Sequence, residues 1–166
     1  MEFWDLYDEN KNKINKVVKR GDKLEDNEYH LVVNAWIKNS ENKFLISQRV
    51  VTKSHPLMWE CTGGSVLSCE STLDAAVREI KEELGIDIDI STAKFVGSTL
   101  RYYPGCPDIL DVWYFEDETP IEKVVFQEEE VCNVKWATPD EIRELYNNGK
   151  FEANKYWDEV ISKYCS

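Results

Sequence analysis

From Ser71 to Gly85 the chain reads STLDAAVREIKEELG, and little but an α-helix accommodates that pattern. Ser71 suits an N-cap with Asp74 three positions on, a variant of the capping box, and Gly85 stands where a helix would stop. An advance of ~100° per residue gathers Leu73, Ala76, Val77, Ile80 and Leu84 into one apolar stripe. The same advance sets Glu79, Glu82 and Glu83 together along a flank of that stripe. Like charges at i, i+3 and i+4 repel and destabilise a helix unless something offsets them. A divalent cation would do so: Mg²⁺ prefers hard oxygen ligands, keeps several waters, and takes few carboxylates together with substrate phosphates. A charge run by itself is usually a solvated face, so its surroundings decide the reading.

Elsewhere the chain is rich in strand patterns. Residues 3 to 7 and 13 to 18 flank the turn-rich DENKN and predict an amino-terminal hairpin. YHLVVNAWI from Tyr29 to Ile37, the polar NSENK and then FLISQRV predict a second hairpin, the clearest in the chain. VTKSHPLMWECTGG, with a proline and a final glycine pair, predicts an ordered loop. Further strands are expected at about 94–102, 109–116 and 131–137, and helices over TPDEIRELYNNG and FEANKYWDEVISKY. Strands interspersed with a few helices imply an α/β (α+β) fold, a mixed sheet covered by helices.

At 166 residues and 42% hydrophobic, residues 1–166 form one expected domain with a real core. Lys and Arg number 20 against 32 Asp and Glu, and the net charge of -12 opposes binding to a nucleic acid polymer. It permits a small anionic substrate if divalent ions stand between protein and phosphate. Cys61, Cys69, Cys106, Cys132 and Cys165 form no CxxC pair and read as reduced thiols. The start MEFWDLYDENKNK is neither basic nor apolar enough for export, and no apolar run approaches the ~20 residues of a membrane span. A cytoplasmic protein, monomer or homodimer, without membrane partners is expected.

GSVLSCESTLDAAVREIKEELGI, Gly64 to Ile86, resembles the Nudix box GX5EX7REUXEEXGU, where U is a bulky aliphatic residue. Gly64, Glu70, Arg78, Glu79, Ile80, Glu82, Glu83, Gly85 and Ile86 fill its fixed positions, which makes the match far more specific than a lone glycine-rich pattern. The resemblance implies a Nudix-type α/β/α sandwich and an enzyme that cleaves a diphosphate linkage in a small substrate with metal-activated water. It implies Mg²⁺, with Mn²⁺ as the alternative ion, on Glu79, Glu82, Glu83 and the Gly64 carbonyl. Glu70 takes either a supporting metal role or that of a favourable charge at a helix start. Arg78 is expected to hold one of Glu79, Glu82 and Glu83 by a paired hydrogen bond. The general base is Glu83, or Glu129 or Glu130 of the later QEEE run. Gly63 and Gly64 let backbone approach the helix.

Arg49 and Lys53, after the second hairpin strand, and Arg101 in LRYYPG are the candidate substrate contacts. Trp59, Tyr102, Tyr103 and Trp113 are either stacking surfaces or core, while His30 and His55 read as structural. Thr62 stands where many relatives of this family carry proline.

Two other functions share the resemblance. YHLVVNAWIKNSENKFLISQR and KSHPLMWE look like the branch containing isopentenyl diphosphate isomerase. That enzyme needs a cysteine and a histidine where Gly63 and Ser65 stand, with Cys61 out of register, and glutamates where this chain has Ile109, Leu110 and Asp111. A non-catalytic nucleotide-sensing module would keep the fold, but such modules usually lose box glutamates that are intact here.

Overall fold

The structure is a computed structural model and describes residues 1–165. Strand β3 (His30–Lys38) decides the architecture. It turns Leu31, Val33, Ala35 and Ile37 to one face and Trp36 to the other, and all five are buried. A strand buried on both faces needs a layer on each side. Helix α1 (Thr72–Leu84) covers the first face with Ala76, Ile80 and Leu84. Helices α2 (Pro139–Asn147) and α3 (Trp157–Tyr164) cover the second with Ile142, Val160 and Ile161. The result is the expected α/β/α sandwich. Its sheet is mixed: β8 (Asp108–Glu116) runs parallel to β3, and β7 (Lys94–Arg101) pairs antiparallel with β8.

The second predicted hairpin is only partly formed. Asn39 builds its turn, its side-chain oxygen accepting from the backbone N–H groups of Glu41 and Lys43, both at 3.0 Å. Yet β3 and β4 (Phe44–Arg49) pair only at Lys38 and Phe44. The rest of that edge of β3 is taken by β6 (Thr62–Ser65), while β4 pairs with β5 (Trp59–Glu60) and β9 (Val131–Ala137). The stretch expected as a loop thus contributes two strands. Gly63 explains why: a Cβ there would lie 2.2 Å from the Val33 carbonyl oxygen, so only glycine lets β6 come this close. The glycine pair marks a close backbone approach and not a turn.

The amino-terminal hairpin forms as expected, from β1 (Phe3–Tyr7) and β2 (Lys13–Lys19). It docks by stacking Trp4 on His30, with ring centroids 3.9 Å apart, and by a 2.7 Å bond from Lys11 to the buried Asp111. The last helix begins later than expected. Phe151 bridges to Trp59, and the Asn154 side chain accepts from the Tyr156 N–H at 2.8 Å, so 151–156 is held out of helical geometry. Among the described residues no helix is long and apolar enough to cross a membrane, and all five cysteines are free.

His30 is 5% exposed, and burial, helped by the charges of Arg101 and Arg20, pushes its imidazole down to about 4. The unfolded chain protonates near 6.5, so stability present above that pH is lost as pH falls toward 4, by on the order of 3 kcal/mol. His30→Phe, which keeps the stack on Trp4, is expected to remove most of this loss. Denaturant unfolding at pH 7 and pH 4.5 of both proteins checks it.

Candidate active site

The caps of α1 set the site. The Ser71 Oγ accepts from the Asp74 N–H at 3.1 Å, and its hydroxyl donates to the Asp74 carboxylate at 2.8 Å, so Asp74 engages the cap side chain and not the cap backbone. Gly85 ends the helix at φ 68, its N–H bonded to the Lys81 carbonyl. Between these ends Arg78 acts as a hub. Its Nε and Nη2 donate to the two Glu70 oxygens at 2.7 and 3.0 Å, and its Nη1 donates to Glu79 at 2.8 Å and Glu82 at 3.3 Å. A further bond reaches the Ser65 carbonyl at 2.9 Å, on β6. The paired bond therefore goes to Glu70 and not, as expected, to Glu79, Glu82 or Glu83, because Glu70 faces the guanidinium edge from the loop and also accepts the Leu67 N–H at 2.9 Å. With both oxygens so engaged, Glu70 acts here as the anchor of Arg78.

Glu83 lies deepest, 7% exposed, and its Oε2 accepts from the Thr62 hydroxyl at 2.6 Å. Burial pushes its carboxyl up to about 8, with the charges of Glu79 and Glu60 adding to the rise. Burial also raises Glu79. Thr62, notable in the sequence only as a replacement for proline, is thus the hydroxyl that orients Glu83. Gly64 packs on the helix as expected: a Cβ there would stand 2.1 Å from the Glu79 Oε1. Gly63 packs on β3.

These groups share one pocket. Gly64, Glu79, Glu82 and Glu83 line it, and Glu130 and Gln127 close it from the later acidic run. The Gln127 N–H bonds to the Glu83 carbonyl at 3.1 Å, which ties that run to the end of α1. Glu130 reaches the pocket, and Glu129 is not among its lining residues. Glu130 is held by an ion pair with Lys53.

The residue types suit a small hard cation. Their oxygens are hard donors, and the partly buried Glu79 and the buried Glu83 have lost more solvation than their neighbours return. Among the described residues no three His, Cys, Asp or Glu side chains already converge as an ion cage. Arg78 draws Glu79 and Glu82 one way, and Thr62 draws Glu83 another.

From the carboxylate pocket a groove runs past Arg49, Lys53 and Glu60 into a cleft of about 480 Å³ lined by Arg101, Tyr103, Asn154 and Lys155. All three basic candidates line this path, with different freedom. Arg49 is committed to Glu60, at 3.0 Å to both oxygens, and to Ser54. Arg101 forms a fork with Asp108, at 2.6 and 2.8 Å. Trp59 is buried, and Trp113 is partly buried with its indole N–H donating to Thr72 at 3.1 Å, so both belong to the core. Tyr103 is half exposed on the cleft. His55 is exposed and pairs with Glu152 at 3.1 Å. Glu60, Asn34 and Arg20 also line the groove, and no local sequence pattern announced them.

The architecture is a mixed sheet between helices, with the helix of this box packed on one face. The NUDIX domain family model matches residues 28–157. An uncharacterized Nudix hydrolase of Listeria innocua is 36% identical over 91% of this chain and 88% of its own length. The CTP pyrophosphohydrolase of Escherichia coli is 32% identical over 66% of this chain and 76% of its own. The crystal structure of DR0079 from Deinococcus radiodurans superposes with a TM-score of 0.75, covering 99% of both chains at 23% identity. The chain belongs to the NUDIX domain family and is a Nudix hydrolase.

Proposed function

We propose that the protein is a Mg²⁺-dependent pyrophosphohydrolase that cleaves a diphosphate linkage in a nucleoside diphosphate derivative or a related small molecule. The observation that carries the reading is the single pocket lined by Gly64, Glu79, Glu82 and Glu83, with Lys53 and Glu130 on its rim. Glu79, Glu82, Glu83 and the Gly64 carbonyl would hold the metal. When bound, Mg²⁺, or Mn²⁺ in its place, neutralises phosphate oxygens and lowers the pKa of a water. The protein's part is positional and protonic. Arg78 steers Glu79 and Glu82, Thr62 steers Glu83, and Glu83 or Glu130 accepts the proton of the attacking water. Lys53, Arg49 and Arg101 line the path along which the phosphates and the rest of the substrate lie.

The name of the Escherichia coli relative places CTP in the panel to be tested. The isomerase reading gains no support from Cys61, whose buried thiol is raised well above its ordinary value and is therefore a poor proton-transfer group. The test is release of phosphate-bearing products with Mg²⁺ and with a chelator: inorganic phosphate or pyrophosphate from nucleoside triphosphates and non-nucleotide diphosphates, and nucleotides or a sugar phosphate from dinucleotides and nucleotide sugars. Chelator-sensitive release from at least one is expected. Rearrangement of isopentenyl diphosphate, or tight binding without turnover across the panel, would overturn the reading.

A further inference from the structure

We propose that the amino-terminal hairpin is part of the active site and that Arg20, at its end, is a phosphate-binding residue. The identity of the anion rests on the pyrophosphohydrolase reading, whereas the placement of the guanidinium does not. The family match begins at residue 28, so β1 and β2 lie outside it. The hairpin is nonetheless fastened to the loop that carries Glu70. The Phe3 carbonyl accepts the Ser68 N–H at 2.8 Å, and the Asp5 carboxylate accepts from the Ser68 hydroxyl at 2.9 Å and the Cys69 N–H at 2.8 Å.

The open end of the hairpin is closed by the Arg20 N–H bonding to the Glu2 carbonyl at 2.9 Å. That pairing sets both side chains on the rim of the carboxylate pocket, where Arg20 and Lys53 are the basic lining residues. Arg20 also lines the adjoining groove with Arg49. The partners of these cations differ in kind. Arg49 and Arg101 each spend several donors on fixed protein acceptors, but among the described residues the Arg20 side chain is held by Glu2 alone, at 2.6 Å, with side chains 60% and 41% exposed. An exposed pair of this sort contributes little and exchanges easily. A phosphate offers a guanidinium two parallel charge-assisted bonds and more charge than one carboxylate. Arg20 and Lys53, brought from two separate elements and each resting on one rim glutamate, are therefore the cations free to turn to a diphosphate.

Calorimetric binding of methylenediphosphonate in Mg²⁺ buffer, alongside KM and kcat on a hydrolysed substrate, tests the assignment. Arg20→Gln is expected to weaken analogue binding and raise KM by about tenfold, with kcat within about threefold and an unchanged melting temperature. Arg20→Lys is expected to recover part of the loss. Glu2→Gln removes the same ion pair from the other side and is expected to tighten binding by releasing the guanidinium. A loss below threefold in Arg20→Gln, or an equal loss in Glu2→Gln, would overturn the inference, because the pair would then be structural or idle. A wild-type protein that binds the analogue through Arg20 but hydrolyses nothing would leave this site standing and remove the functional reading instead.

Discussion

Glu83→Gln is expected to lower kcat by about 10²-fold or more while leaving the metal-free protein at least as stable as the wild type. Two features single out this residue among the box glutamates. Glu82 is half exposed and, among the described residues, is hydrogen-bonded through its side chain to Arg78 alone, at 3.3 Å, whereas Glu83 is buried and fixed by Thr62 at 2.6 Å. A glutamine oxygen still accepts from the Thr62 hydroxyl, so the packing survives. What disappears is the cost of burying a group that ionises freely in the unfolded chain, in keeping with the upward push that burial gives its carboxyl. Loss of turnover together with an equal or higher melting temperature separates a chemical role from misfolding. Near-normal turnover would remove Glu83 from the chemistry.

Gly63→Ala is expected to cost about 3 kcal/mol, the upper range for an overpacked core position, and to lower the melting temperature by roughly 10 °C. Its added Cβ would meet the Val33 carbonyl at 2.2 Å and the Asn34 Nδ2 at 2.5 Å. Val33 sits mid-strand in β3, paired with β8 on one side and β6 on the other, so its backbone cannot yield. Strand β6 must move instead, and it carries Thr62 and Gly64 away from Glu83 and Glu79. Gly64→Ala is expected to behave differently, because its obstacle is the Glu79 carboxylate, a side chain that can swing aside. That variant should keep most of its stability and lose activity. Thermal melts and turnover measured on the pair check the contrast, and equal stability losses would contradict it.

The parts of this molecule that were legible in the sequence are those governed by neighbours along the chain. Ser71, the apolar stripe and Gly85 announce α1, and DENKN announces the first hairpin. The box spacing likewise brings Glu79, Glu82 and Glu83 to one pocket with Gly64, and Arg78 into hydrogen bonds with Glu79 and Glu82. What stayed hidden depends on distant partners. The turn after β3 was readable in NSENK, but whether β4 would stay beside β3 depended on β6, which competes for the same edge through the missing Cβ of Gly63. FEANKYW has a helical pattern, yet Phe151 is drawn to Trp59 on β5. In the sequence Glu70 suits a metal and a helix start equally, and only the fold shows both its oxygens taken up, by Arg78 and Leu67. Arg20 carries no local mark, since its importance comes from where the hairpin docks.

Glu79, Glu82 and Glu83 are proposed to gather a divalent ion beside Gly64. A crystal grown with Mn²⁺ and methylenediphosphonate, measured at the manganese absorption edge, tests it directly. The expected result is an anomalous peak within bonding distance of carboxylate oxygens from at least two of these glutamates, with the bisphosphonate against it. Saturating Mn²⁺ that leaves all three side chains on Arg78, Thr62 and solvent, with any peak elsewhere, would contradict it.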